Sequence, residues 1–90
     1  MQNLSAPSRE EVRKRLVALI SEIASIAPET ITDTASIDEG LQMNSVVFVE
    51  LQVAIEDAYD IRIDPIEVVE LNEFGAIVDY VHRCATAPLQ

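Results

Sequence analysis

The sequence holds one cysteine, Cys84, and one histidine, His82. A single thiol excludes an internal disulfide framework and a cysteine-built structural zinc site. A lone histidine leaves no Ser/His/Asp set with workable spacing, and the carboxylates show no EF-hand spacing, so no metal site is expected. Glycine occurs only at Gly40 and Gly75, too few to build a phosphate-cradling loop. Tryptophan is absent and aromatics make up 4%, so any core is aliphatic. Bases are also scarce. Six Lys and Arg stand against sixteen Asp and Glu, for a net charge of −10. That excludes unaided binding to a nucleic-acid backbone, whose affinity comes from Lys and Arg, and argues against an anionic membrane surface. The natural complement is a basic protein partner. No run approaches the ~20 apolar residues that span a bilayer. The opening MQNLSAPSREEVRKR has no apolar stretch ahead of its charges, so no secretory signal is expected. These absences together point to a soluble, reduced, cytoplasmic protein with no catalytic machinery of its own.

What is present fits one small domain. Ninety residues, 49% of them hydrophobic, can bury a single core. Residues 1–7 read as a flexible lead, 8–84 as the domain and 85–90 as a flexible tail. Ser8 with Glu11 forms an S-x-x-E capping box. Val12, Leu16, Leu19, Ile20 and Ile23 then recur at helical spacing, which predicts a first helix running to about Ala27, before Pro28. Residues 28–44 lack a period and read as a long loop that needs pinning, with Ile31, Ile37, Leu41 and Met43 as the apolar candidates. A second helix fits Ser45 to about Tyr59, with Ser45 suited to the N-cap and Asn44 its nearest competitor. Asp60 suits the turn that follows. Asp64-Pro65 opens a short third helix whose apolar residues are Ile66, Val69 and Leu71. Asn72 can cap a fourth helix carrying Phe74, Ile77, Val78 and Val81. No strand alternation is visible. The expectation is all-α: a small antiparallel-type four-helix bundle with a long first loop and a short third helix. His82 reads as a solvated or capping residue near a helix end, and Cys84 as a small passive hydrophobe.

The second helix carries two apolar stripes. At about 100° per residue, Phe48, Leu51 and Ile55 fall on one side, and Val46, Val49 and Val53 roughly opposite. Glu50 and Asp57 lie beside the valines, and Glu56 borders their other edge. A helix in such a bundle needs one stripe for its core. The second is therefore either buried because the helix is central, or a docking face in which apolar contact gives affinity and the acids orient a basic partner. Residues 28–81 hold thirteen acids and one base, Arg62, so this region is strongly negative.

The stretch GLQMNSVVFVELQVAIEDAYDIRI resembles the acyl carrier protein family, in which D-L-G-x-D-S-L is followed by V-E-L and then paired acids. Leu41, Ser45, Val49-Glu50-Leu51 and Glu56-Asp57 match that pattern. DPIEVVELNEFGAIVDYV resembles the family's short third helix and its fourth, with Asp79-Tyr80-Val81 at the characteristic ending. The likeness covers about residues 8–84. It implies a four-helix bundle of acyl-carrier type. It further implies that Ser45 bears a 4′-phosphopantetheine arm, attached from coenzyme A by a phosphopantetheinyl transferase, whose thiol holds acyl groups as thioesters. Helix starts suit that attachment, because the phosphodiester meets the positive end of the helix dipole and free backbone N–H groups.

The resemblance also favours the docking face, with Asn44, Val46, Val47, Val49, Glu50, Val53, Glu56 and Asp57 as partner-binding residues. The partners it implies are an acyltransferase or ligase, a ketosynthase, and condensation or tailoring enzymes with basic patches. A monomer suits such a shuttle. Three departures stand out: Gln42 replaces a usual Gly, Asn44 the Asp before the serine, and Val47 a frequent acid. With no Gly-Gly before the serine, they lean towards polyketide, mixed polyketide–peptide or specialised fatty-acid biosynthesis. An aminoacyl or peptidyl carrier, and an unmodified helical interaction module, are the alternatives. The aliphatic interior beneath the second helix is a possible shelter for the acyl chain.

Overall fold

The computed structural model describes residues 7–37 and 44–86. They form four helices: α1 (Arg9–Ala24), α2 (Ser45–Tyr59), α3 (Pro65–Leu71) and α4 (Phe74–Thr86), with a single 3-10 turn at Pro28–Thr30. No strand occurs among the described residues; one isolated antiparallel bridge joins Ser36 to Glu73. The all-helical expectation holds. Leu41 and Met43, expected to pin the loop, lie outside the described residues, as do most of the predicted lead and tail.

The capping box forms as read. Ser8 Oγ accepts from Glu11 N–H at 3.1 Å, and Glu11 Oε1 accepts from Ser8 N–H at 3.0 Å. Ser8→Ala removes one half of this reciprocal pair and is expected to cost about 1 kcal/mol. In a domain of this size that lowers the thermal midpoint by about 4–8 °C, readable by circular dichroism. The helix ends sooner than its pattern suggests. Ser25, not the neighbourhood of Ala27, closes it, in the left-handed region at φ 59° and with its N–H on Ser21 O. Ser21 Oγ also donates to Ile26 O at 2.6 Å, which turns the chain out of the helix before Pro28.

The core is aliphatic around one aromatic. Val12, Leu16 and Ile20 of α1 meet Leu51 and Ile55 of α2, Val68 of α3, and Phe74, Ile77, Val78 and Val81 of α4. The loop after α1 is held partly by side chains, Ile31 and Ile37 being buried, but also by its backbone. Phe74 N–H donates to Ala35 O at 2.9 Å, Gly75 N–H to Asp33 O at 2.8 Å, and Ile37 N–H to Asn72 O at 2.9 Å. The first-turn donors of α4 thus bond loop carbonyls. Asn72 has a different role from the N-cap expected of it: at φ 65° it closes α3, its N–H on Val68 O. Gly75 allows a close approach at this junction, since a Cβ there would stand 3.2 Å from both Asp33 Cβ and Asp33 O. Arg13 spans the same seam, bonding Asp33 at 2.9 Å and lying 5.6 Å from the Phe74 ring centre. Arg9 pairs with Asp79 and donates to Gly75 O at 3.2 Å.

Asp64 caps α3 and Pro65 starts it, as read. The buried residue of α3 is Val68, however, while Ile66 and Val69 are 68% and 55% exposed. Seven residues give two turns, too few for a period to decide which valine points inward.

Candidate functional site

The start of α2 is built by Asn44. Its Oδ1 accepts from Val47 N–H at 2.9 Å and its backbone carbonyl accepts from Phe48 N–H at 2.9 Å, so Asn44 is the N-cap and Ser45 the first helical residue. The expectation that placed Ser45 at the cap is corrected by one position. The physical reason is backbone geometry: Asn44 is the last extended residue, at φ −85° and ψ 178°, and Ser45 is already helical. With the cap filled, Ser45 Oγ is not needed to close the helix. Ser45 is exposed, and among the described residues no partner takes its hydroxyl. The first turn of α2 contains no acid.

That chemistry fits a phosphodiester. A negative group on Ser45 Oγ would sit in water at the positive end of a 15-residue helix, with no like charge in the adjacent turn. A serine buried in the core could not carry such a group.

The two stripes of α2 differ in burial. Leu51 and Ile55 are buried and Phe48 is half-buried against the core. Val46, Val49 and Val53 are 69%, 54% and 58% exposed. Val47 is only half-buried, so it gives the face less than its neighbours do. Glu50 and Asp57 are exposed beside the valines. Glu56 is already engaged: its Oε2 accepts from Ile63 N–H at 3.0 Å, which ties the end of α2 to the link before α3. Ser45, the three valines, Glu50 and Asp57 therefore lie on one open side of α2, with Asn44 exposed at its cap, while Glu56 is half-buried with one carboxylate oxygen on Ile63 N–H.

Two residues outside that set join the valine face. Glu22 and Ile23, near the end of α1, line one groove with Val49, Glu50, Val53 and Ala54. Ile23 is half-buried and also packs against the core, the face its spacing predicts, while the pattern gives Glu22 no role. Their place here follows from antiparallel pairing of α1 with α2, which no local pattern encodes.

Elsewhere the titratable groups serve structure. Tyr80 Oη accepts from Asp64 N–H at 2.8 Å, and burial pushes the Tyr80 phenol above its ordinary value. Cys84 is a free, half-buried thiol packed at the edge of the core. Among the described residues no group of three or more His, Cys, Asp or Glu could hold a metal ion. Nor is any described helix long and apolar enough to cross a membrane.

Comparison with known proteins shows the family. The family described as "Phosphopantetheine attachment site" matches residues 14–81. An acyl carrier protein of Acidothermus cellulolyticus is 34% identical over 76 residues, covering 84% of this chain and 90% of the relative. An acyl carrier protein of Buchnera aphidicola is 35% identical over 72 residues, covering 80% and 91%. A meromycolate extension acyl carrier protein of Mycolicibacterium aurum is 30% identical over 78 residues, covering 87% and 80%.

Proposed function

The chain belongs to the acyl carrier protein family, and on that premise we propose that Ser45 is its attachment point for 4′-phosphopantetheine and the valine stripe of α2 its docking face. The family is one of carriers without catalytic activity of their own, modified by a phosphopantetheinyl transferase and visited by biosynthetic enzymes. The bound arm supplies a thiol that holds acyl intermediates as thioesters. The single observation that carries the site assignment is an exposed serine hydroxyl, freed from capping by Asn44, at the open end of α2.

The remaining residues give the carrier its traffic. Arg9 and Arg13 pair at the surface with Asp79 and Asp33 of the same chain. Glu50 and Asp57 meet no base among the described residues, so the valine face beyond the first turn of α2 stays negative. Such a field speeds encounter with basic enzymes. Exposed ion pairs contribute about 0–1 kcal/mol each, weak enough for one enzyme to release the carrier to the next. Acyltransferases or ligases, ketosynthases and tailoring enzymes with basic patches are the proposed partners, met in the cytoplasm by a monomer. An acyl cargo in a polyketide, mixed polyketide–peptide or specialised fatty-acid pathway is favoured over an aminoacyl one. The departures at Gln42, Asn44 and Val47 support this, as do the relatives named for meromycolate extension.

The core does not offer a ready shelter for that cargo. The void beneath α2, between Leu16, Ile20, Phe48, Leu51 and Ile77, measures about 10 Å³, room for about one water. An acyl chain enters only if α2 moves off its neighbours.

Intact mass after incubation with coenzyme A and a broad-specificity transferase tests the reading. The expected outcome is a gain of one phosphopantetheine per chain. No gain with several transferases favours an unmodified helical interaction module instead.

A further inference from the structure

We infer that Asn44 selects the transferase that loads Ser45: its side-chain amide donates to a hydrogen-bond acceptor on that enzyme, at a position where an acid is rejected. The inference rests on the carrier reading for the reaction; the state of the amide stands by itself. Asn44 Oδ1 accepts from Val47 N–H at 2.9 Å. Only the oxygen of an amide can accept from an N–H, so this bond assigns the two ends of the group. Nδ2, with its two donors, is the end that capping does not use, and among the described residues nothing accepts from it. Asn44 itself is exposed. Its surroundings in the chain are neutral. Residues 40–49 carry no charged side chain, the longest such run in a chain of net charge −10. Glu39 precedes that run and Glu50 follows it, and the first turn of α2 holds no acid. An enzyme that recognised the loading site by cations would find no counter-charge there.

Contact with Asn44 follows from the chemistry of loading. Ser45 Oγ bonds to a phosphorus of coenzyme A, the pyrophosphate linkage breaks, adenosine 3′,5′-bisphosphate leaves, and the hydroxyl proton passes to a base of the transferase. An enzyme that brings those atoms to bonding distance also closes over the adjoining residue, since consecutive Cα atoms lie about 3.8 Å apart. Closing over Nδ2 strips its water, and a buried donor left without a partner is costly. An acceptor opposite Nδ2 removes that cost. The same acceptor discriminates. A site built to take an N–H rejects a carrier that offers an oxygen there, because two acceptors then face each other. Capping does not decide the matter, because Asp and Ser close a helix as well as Asn does. What asparagine adds is the amide donor that remains once the cap is made.

Initial rates of phosphopantetheine uptake test this on the full chain, read by intact mass with coenzyme A and the transferase of the organism that makes the protein. Asn44→Asp keeps the cap and turns the spare donor into a charged acceptor. Asn44→Ser keeps the cap and removes the amide. Rates are read where circular dichroism shows both variants as helical as the unaltered chain. The expected fall in kcat/KM is about tenfold for Asn44→Asp and about threefold for Asn44→Ser. The fall is expected in KM, with kcat within about twofold, because the contact is made on docking and not at the reacting phosphorus. A residue that only caps α2 would leave both variants loading like the unaltered chain. Either variant loading as fast as the unaltered chain, or faster, therefore overturns the inference, as does a fall confined to kcat. If the unaltered chain itself takes up nothing, the carrier reading fails. If it loads and the variants match it, this inference alone fails.

Discussion

Ser45→Ala is expected to take up no phosphopantetheine from coenzyme A under conditions that load the unaltered chain to completion. The effect is all-or-none because the variant lacks the oxygen to which the phosphate would be bonded. It is also clean. Ser45 is exposed at the first position of α2, after a cap made by Asn44. Alanine is a good helix former, and a surface substitution of this kind changes stability by about 0.5 kcal/mol at most. The circular dichroism spectrum and thermal midpoint should therefore match those of the unaltered chain, so a loading failure reports chemistry and not unfolding. Modification that persisted in Ser45→Ala would mean that another hydroxyl accepts the arm, and the site assignment would be wrong.

Phe74→Ala is expected to be the most damaging single change to the fold. Phe74 is 1% exposed and heads the largest fully buried side chains. It sits where the loop after α1, the end of α3 and the start of α4 converge. Its ring lies under the Arg13 guanidinium, and its N–H holds Ala35 O. Truncating a buried phenylalanine costs about 3–5 kcal/mol through lost transfer energy and the cavity left behind. A domain of this length has about 5–15 kcal/mol in all, so the variant loses about a fifth or more of its stability. The thermal midpoint should fall by at least about 12 °C. Residues 33–37 of the loop after α1 are held at this junction, and loading should slow near the new midpoint, where the fold is lost, while remaining complete well below it. A fall of only a few degrees would show that the junction is not held by this ring.

What could be read from the chain was whatever is local. Ser8 with Glu11, and Asp64 with Pro65, state their caps within four residues, and both form. The second helix and its two stripes were also legible, because fifteen residues give a clear angular pattern. The pattern could not say which stripe is covered. That depends on α1, α3 and α4 arriving on the Leu51 side, a matter of long-range packing. The stop of α1 was hidden because the helices here close on left-handed Ser25, Asp60 and Asn72 and not on glycine. The isoleucine and alanine after Ser25, Ile26 and Ala27, continue a plausible helix on paper.

At the site itself, Asn44 and Ser45 are adjacent and both competent to cap. Only geometry separates them, and the outcome frees the serine. Glu56 shows the opposite limit: its acid was legible at the edge of the valine stripe, but its engagement with Ile63 N–H arises from the turn after α2. The loop was expected to be pinned by apolar side chains. Its backbone bonds to α4 and Asn72 leave no trace in residue type, since every residue carries a carbonyl.

The central claim is that Ser45 is a covalent anchor at the open end of an acidic helix. The most direct measurement is tandem mass spectrometry of the protein isolated from the organism that makes it, mapped peptide by peptide. The account predicts phosphopantetheine, free or acylated, on the peptide containing Ser45 and localised to that residue. A native population whose Ser45 is wholly unmodified, or whose arm sits on a different serine, would contradict it.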